Sequence, residues 1–94
     1  MIFVYGTLLD PACLRRKSGA LRPRLVPAEL PGWHRVWRDA YPTLRRGGVV
    51  KGALVRVSAR NLGRLAAYEG GEYQLRGMTA RLNGKPVRCR VWLK

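Results

Sequence analysis

The sequence contains few of the residues from which metal sites and disulfide frameworks are built. It has one histidine, His34, and two cysteines, Cys13 and Cys89, in 94 residues. A single imidazole leaves a zinc site or a serine-histidine-aspartate triad short of its usual residues, so we expect His34 to be structural or exposed and no metal to be bound. Two cysteines form one bridge at most, which favours free thiols, a reducing compartment and a cytoplasmic location.

Acidic residues are scarce as well. Lys and Arg number 19 against 5 Asp and Glu, which gives a net charge of +14, and no basic tail accounts for the excess. Such a surface predicts an anionic partner, either a nucleic acid or an acidic carrier protein. The apolar start of the chain is interrupted by Gly6, meets Asp10 and has no basic segment before it, so we expect neither a signal peptide nor a membrane span there. The oligomeric state stays open.

Length and hydrophobic content predict one folded domain over residues 1–94, since 47% of the chain is hydrophobic and 26% is charged. In the first half, the apolar stretch 2–5 predicts a strand that ends at Gly6. Asp10 as N-cap before Pro11 predicts a helix over 11–17. Short strands are expected at 25–30 and 33–37, and Pro42 with the Gly47-Gly48 pair predicts a loop over 39–48.

The second half has stronger signals. Residues 49–57 predict a strand, in which Gly52 marks a bulge or a close backbone approach. Ser58 is a natural N-cap for a helix that ends at Gly70-Gly71. Asn83-Gly84 is the preferred pair for a two-residue hairpin turn between strands 72–82 and 85–94. Five or six strands with one or two helices indicate an α+β fold, a small mixed β-barrel with one or two flanking helices.

Glu69 is out of place in the second helix. Helical spacing puts it on the face of Leu62, Leu65 and Ala66, which is the face toward the core. Desolvation there, and the partial negative charge at a helix C-terminus, both favour the neutral carboxyl and raise its pKa. A carboxyl tuned in this way suits a general acid/base. The alternative is a surface carboxylate paired with an arginine such as Arg64 or Arg76.

Two separated motifs make the sequence similar to a known family. An apolar strand followed by Tyr-Gly-Thr-Leu stands at residues 3–8, and Tyr-Glu-Gly with a following tyrosine stands at residues 68–73. Between them, Pro31-Gly32-Trp33, Tyr41-Pro42 and Val57-Ser58 follow in the family's order. The chain thus resembles the γ-glutamylcyclotransferase-like proteins, which include the γ-glutamylamine cyclotransferases and the plant avirulence-induced-gene-like proteins.

The resemblance implies a small barrel whose cavity holds a γ-glutamyl group and releases 5-oxoproline and an amine without a cofactor. It implies Glu69 as the proton carrier, and Tyr5, Gly6, Thr7, Leu8 and Tyr73 as substrate-binding residues. The chain is shorter than many members between Leu8 and Trp33 and after Glu69, and those loops shape the leaving-group pocket. Two alternatives stay open: a basic nucleic-acid-binding module, and a family homologue that binds without turnover.

Overall fold

A computed structural model describes residues 1–20, 22–38 and 41–93. Within these ranges five strands close into a barrel in the order β1-β3-β2-β4-β5, with two α-helices and one short 3-10 helix beside it. The contact between β1 and β5 is parallel, and the other strand pairs are antiparallel. The elements are β1 (Ile2–Val4), the 3-10 helix (Thr7–Leu9), α1 (Pro11–Ser18), β2 (Val26–Arg38), β3 (Tyr41–Val55), α2 (Ala59–Glu69), β4 (Gln74–Leu82) and β5 (Lys85–Leu93).

The barrel wall separates two hydrophobic cores. The inner cluster draws on all five strands and includes Phe3, Leu30 and Val91. The outer cluster joins the wall to the helices through Leu14 of α1 and Leu65 of α2. Alternation along a strand sends successive side chains to opposite faces, so every strand beneath the helices is apolar on both sides. The expected α+β fold, a small mixed β-barrel with flanking helices, is confirmed.

Local signals set the helix ends as expected. The Asp10 carboxylate accepts from the Ala12 N–H at 3.1 Å, and the Ser58 hydroxyl accepts from the Asn61 N–H at 3.2 Å. Gly19 and Gly70 follow the two helices with φ of +79° and +84°, a backbone region that glycine enters without a steric penalty. α2 therefore ends at Glu69.

The hairpin turn of the last two strands also follows the sequence. Asn83 and Gly84 have φ of +51° and +78°, as a type I′ turn requires. Residue 94, which the expected second strand included, lies outside the described residues. The first strand of this hairpin begins at Gln74 rather than at position 72.

The expected loop over 39–48 is wrong for its described part, because residues 41–48 continue β3 and pair with β2. Residues 39 and 40 lie outside the described ranges. The glycine pair does not end the strand. It forms a bulge instead, in which Gly47 and Gly48, at φ of +106° and +81°, lie opposite the single Gly32.

The two short strands expected at 25–30 and 33–37 are likewise one continuous strand, β2. Its prolines, Pro27 and Pro31, lack an N–H donor, which a strand paired fully on both sides would need. β2 pairs with β3 along its length, whereas with β4 the register shows one pair, Glu29 with Arg81. The largely unpaired edge toward β4 accommodates the prolines.

Candidate active site

A cavity of about 600 Å³ opens where β1 ends, between the 3-10 helix and the end of α2. Every residue proposed from sequence for the site lines it: Glu69, Tyr5, Gly6, Thr7, Leu8 and Tyr73. The other lining residues are Phe3, Val4, Pro42, Tyr68, Glu72 and Trp92. Segments that are more than 60 residues apart in sequence, such as Thr7 and Tyr68 with |i−j| of 61, thus meet at one site.

The loop after β1 presents backbone N–H groups beside the cavity. The 3-10 turn is closed by bonds from Leu9 N to Gly6 O at 3.0 Å and from Asp10 N to Thr7 O at 3.2 Å. The N–H groups of Gly6, Thr7 and Leu8 precede these bonds and have no acceptor within the described part of the chain. They are therefore available to an anionic or carbonyl oxygen in the cavity.

Gly6 lets this loop approach the wall formed by β3. A Cβ atom at position 6 would lie 2.9 Å from Cγ of Pro42, which is closer than carbon atoms pack. Pro42 in turn accepts a hydrogen bond from the Tyr73 hydroxyl through its carbonyl at 3.4 Å. The loop, β3 and the segment after α2 are thus held together around the cavity.

Tyr5 is buried and remains a neutral phenol. Its hydroxyl donates to the Trp92 carbonyl at 2.7 Å. Burial raises the pKa of Tyr5 well above its ordinary value, and the nearby Tyr73 and Glu69 add to the rise, while Arg35 acts in the opposite direction. Because its proton is committed to Trp92, Tyr5 can still accept a hydrogen bond from a group in the cavity but has no second proton to donate.

Glu69 is half-buried at the last position of α2. Burial raises the pKa of its carboxyl above the ordinary value, in the direction expected from the sequence. The Glu69 carboxylate makes no ion pair or hydrogen bond to any described residue. Arg76 instead donates to Oε1 of Gln74 at 3.2 Å, and the Arg64 guanidinium lies against Gly19. Neither arginine neutralises Glu69.

One part of the expected helix face is wrong. Leu62, Leu65 and Glu69 are turned inward, but Ala66 is exposed. The inward stripe is therefore narrower than the sequence spacing indicated, because α2 packs mainly against α1 and joins the outer cluster through Leu65 and Leu62. Glu69 keeps its inward position because the next residue, Gly70, ends the helix beside the cavity.

Tyr68 and Glu72 reach the cavity but received no role from the sequence. The Tyr68 hydroxyl and Oγ1 of Thr7 are 2.8 Å apart and share a hydrogen bond, which ties α2 to the 3-10 helix. Lys17 of α1 lies over the Tyr68 ring, with its Nζ 5.0 Å from the ring centre. Its position next to Glu69 could have pointed to Tyr68 as a site residue. Its contact with Thr7 could not be predicted, because the two residues are 61 positions apart and no local sequence pattern contains both.

The cavity has the opposite electrostatic character to the rest of the protein. Among its described lining residues there is no Lys or Arg, although the chain carries 19 of them. Glu69 and Glu72, two of the chain's 5 acidic residues, are both there. Such a lining favours a ligand that brings an ammonium group as well as hydrogen-bond acceptors.

Comparison with protein families agrees with this geometry. The family model described as "Gamma-glutamyl cyclotransferase, AIG2-like" matches residues 2–94. The chain belongs to this family. A comparison with curated protein sequences gave no match.

Solved structures show how the AIG2-like chain relates to other proteins. An Arabidopsis thaliana protein solved in solution is 29% identical, with a TM-score of 0.82, over 98% of this chain and 66% of its own. A structure described as a gamma-glutamyl cyclotransferase is 19% identical, with a TM-score of 0.85, over 98% and 64%. A mouse AIG2-like protein is 21% identical, with a TM-score of 0.75, over 99% and 75%. The chain thus spans less than two thirds of the length of the Arabidopsis protein and of the structure described as a gamma-glutamyl cyclotransferase.

Other residues considered in the sequence lie away from this AIG2-like cavity or have structural roles. Cys13 and Cys89 are buried and free, and burial raises the pKa of the Cys89 thiol. His34 is exposed, and its Nδ1 lies 2.9 Å from the Gly47 carbonyl. In the described ranges no group of three or more metal-ligating side chains is found, and no helix is long and apolar enough to cross a membrane.

Proposed function

We propose that this protein is a γ-glutamyl cyclotransferase that converts a γ-glutamyl compound into 5-oxoproline and a free amine. The α-amino nitrogen of the substrate attacks its own γ-carbonyl carbon and forms the new C–N bond of a five-membered ring. The bond from that carbon to the leaving nitrogen then breaks. One proton moves from the attacking amine to the leaving amine, so the reaction needs neither an oxidant nor water.

Glu69 carries that proton. Its carboxylate takes the proton from the attacking amine and delivers it to the leaving nitrogen, which is a general acid/base cycle. The observation that carries the proposal is that Glu69 lines the cavity with a raised pKa and with no ion pair to a described cation. A carboxylate paired with an arginine would be a weaker base, because the pair favours the charged form.

The remaining site residues bind and orient the substrate. We assign the N–H groups of Gly6, Thr7 and Leu8 to the α-carboxylate or to the polarised γ-carbonyl, since oxygens of both kinds accept such bonds. Tyr73 hydrogen-bonds the substrate, and Tyr5 forms one wall. Holding a flexible γ-glutamyl chain in its folded shape lowers the entropic part of the barrier to ring closure.

The chemistry calls for no metal and no organic cofactor, because nucleophile and electrophile belong to one molecule. Acid/base transfer of this kind contributes about 10²–10⁴-fold to the rate. Two cysteines that form no disulfide favour a reducing compartment, so we propose that the reaction takes place in the cytoplasm.

Activity is tested by incubating the protein with a panel of γ-glutamyl amides and γ-glutamyl amines and measuring 5-oxoproline. We expect turnover by the wild type and a loss of at least about 100-fold in Glu69→Gln, which keeps the size of the side chain but removes its ionisation. The matched control is Glu29→Gln, which removes a half-exposed carboxylate paired with Arg81 outside the cavity. It should retain full activity.

Binding without turnover is the alternative outcome. A γ-glutamyl compound that protects the wild type against thermal unfolding, with no 5-oxoproline from any member of the panel, would identify a binding homologue and contradict the proposed reaction. Equal activity of the wild type and Glu69→Gln would leave the reaction in place but remove Glu69 from it.

A further inference from the structure

A second, open cleft of about 720 Å³ lies where β2 and β4 separate. The two strands pair at Glu29 and Arg81, and an antiparallel ladder continued from there would place His34 opposite Arg76. That pair does not form, and both residues line the cleft. Beside the cleft β2 is therefore paired with β3 alone, and its other edge is free.

The free edge of β2 carries unpaired backbone groups. In an antiparallel pair, every second residue of a strand directs its N–H and C=O away from its partner strand. Along residues 33–37 these groups have no second strand partner within the described part of the chain. Such an edge accepts an extended peptide as an added strand, because the peptide backbone supplies the missing donors and acceptors.

Three arginines line this opening, which we call the arginine cleft: Arg45, Arg46 and Arg76. None of them forms an ion pair with a described carboxylate, and no Asp or Glu is among the described lining residues. Positive charges gathered in a concave surface without a counter-charge attract anions. The occupant therefore carries negative charge, which excludes a second copy of this chain with its net charge of +14.

The floor of the arginine cleft belongs to the inner hydrophobic cluster. Leu44 and Leu93 line it and are 7% and 9% exposed. Gln74 lies opposite Leu93 and Arg76 lies opposite Val91, so both of these β4 side chains are on the inner face of the sheet. A strand added to β2 would lay one face over apolar side chains and bring its carboxylates to the exposed arginines around them.

The tryptophan of the cleft is already occupied. Trp33 packs against the inner cluster, and the Arg46 guanidinium lies over its ring, 5.2 Å from the ring centre. A nucleic-acid base would have to displace Arg46 in order to stack there. A carboxylate needs no such rearrangement, because its two oxygens match the paired donors of a guanidinium that is already oriented.

We propose that the arginine cleft binds an acidic polypeptide segment in extended form, which adds as a strand to the free edge of β2. Backbone hydrogen bonds to β2 hold the segment, and its carboxylates pair with Arg45, Arg46 and Arg76. Binding therefore depends both on the charge of the cleft and on the backbone of the partner. It does not depend on the cyclotransferase activity, because the two cavities have no lining residue in common.

The test is the fluorescence anisotropy of a labelled octapeptide of alternating glutamate and valine, with both ends blocked, titrated with the full chain. This peptide is acidic, favours an extended form and places its carboxylates on one face. We expect the R45A/R46A/R76A variant to bind it at least about tenfold more weakly than the wild type, because the partners of the carboxylates are removed.

The matched control removes three exposed arginines that line neither cavity, in the variant R16A/R56A/R60A. It has the same net charge as the cleft variant, and we expect its affinity for the octapeptide to stay within about threefold of the wild type. Equal losses in the two variants overturn the proposal, because binding would then depend on overall charge alone. Circular dichroism checks that both variants are folded.

The role of the peptide backbone is tested with a fully N-methylated form of the same octapeptide. It keeps every carboxylate but has no backbone N–H to donate to the edge of β2. We expect it to bind the wild type at least about tenfold more weakly than the unmodified octapeptide. Equal affinities of the two peptides overturn strand addition, since side-chain charge would then account for all of the binding.

An oligothymidylate with as many phosphates as the octapeptide has carboxylates tests nucleic acid as the occupant. Any polyanion is attracted to a protein of net charge +14, so the informative quantity is the affinity lost in the cleft variant relative to the control variant. We expect this ratio to be smaller for oligothymidylate than for the octapeptide. An equal or larger ratio for oligothymidylate overturns the proposal in favour of nucleic acid.

Discussion

At the scale of single residues, the Glu69 carboxyl links the proposed chemistry to stability. Burial raises its pKa in the folded state above the ordinary value of 4.5. Between that value and the raised one, the folded protein binds more protons than the unfolded chain. The contribution of the protonated Glu69 carboxyl to stability is therefore fully present below the pKa of Glu69 in the unfolded chain. It is lost as the pH rises through the pKa of Glu69 in the folded state.

Glu69→Gln tests this linkage. Glutamine does not ionise, so the difference in free energy of unfolding between wild type and variant isolates Glu69. We expect the wild type to lose stability relative to the variant as the pH rises from below the ordinary value of 4.5 through the raised pKa of the folded state, as measured by urea unfolding at each pH. Parallel pH curves would mean that Glu69 is solvated. In activity measurements on the wild type, the same raised pKa should move the acid limb of the pH–rate profile to a higher pH than an ordinary glutamate would give.

At the scale of elements, β1 and β3 are packed so closely that one glycine cannot be replaced. A Cβ atom at Gly52 would overlap the Val4 carbonyl oxygen and lie 2.7 Å from the Phe3 ring. We expect Gly52→Ala to lower the free energy of unfolding by about 1–3 kcal/mol. Gly63→Ala is the matched control, since a Cβ there meets nothing within 4 Å on the surface of α2.

The control should be more stable than the wild type by about 0.5–1 kcal/mol, because alanine favours the helix. Chemical denaturation of the two variants measures both effects. Equal stability of Gly52→Ala and the wild type would contradict the close approach of β1 and β3.

Elements with local signals could be predicted from sequence, and elements set by distant contacts could not. Asp10, Ser58 and Asn83-Gly84 fix helix starts and a turn through bonds and angles within a few residues. Gly47-Gly48 carries the same local signal as a loop but is held in β3 by its partner strand. The bond between Thr7 and Tyr68 spans 61 residues, so no local pattern contains it.

The site followed the same division. Helical spacing singled out Glu69 as a carboxyl on the core face, and Gly6 singled out the loop after β1. The proton-carrying role of Glu69 and the substrate-binding roles of Tyr5–Leu8 and Tyr73 came from the family resemblance. The separation of β2 from β4 had no signal, because it arises from a ladder that pairs at Glu29 and Arg81 and then stops. The cleft between these two strands is accordingly a feature of the folded chain alone.

At the scale of the whole molecule, charge repulsion works against the compact state. The net charge is +14, and the ion pair found among the described residues, Arg81 with Glu29 at 3.5 Å, is half-exposed. We expect the melting temperature to rise when NaCl is increased from about 20 mM to about 500 mM, because salt screens the repulsion. A fall in the melting temperature would show that attractive ion pairs outweigh the charge repulsion.

The control for that measurement is R16E/R56E/R60E. Each change removes one positive charge and adds one negative charge, so the net charge falls by six from +14 to +8. Its melting temperature should respond less to salt than that of the wild type.

The parallel contact between β1 and β5 governs when the site can form during synthesis. Ile2 pairs with Arg90, and Tyr5 bonds to the Trp92 carbonyl across 87 residues. Segment 2–5 can pair with β3 once residues 53–55 have been made. Its contacts with β5 form only after residues 90–92 have been made, on the order of ten seconds later than segment 2–5 itself at cellular elongation rates. Closure of the barrel and completion of the cavity then coincide, so a chain interrupted before β5 has neither. In this protein, closing the barrel and completing the cavity are a single event that waits for β5.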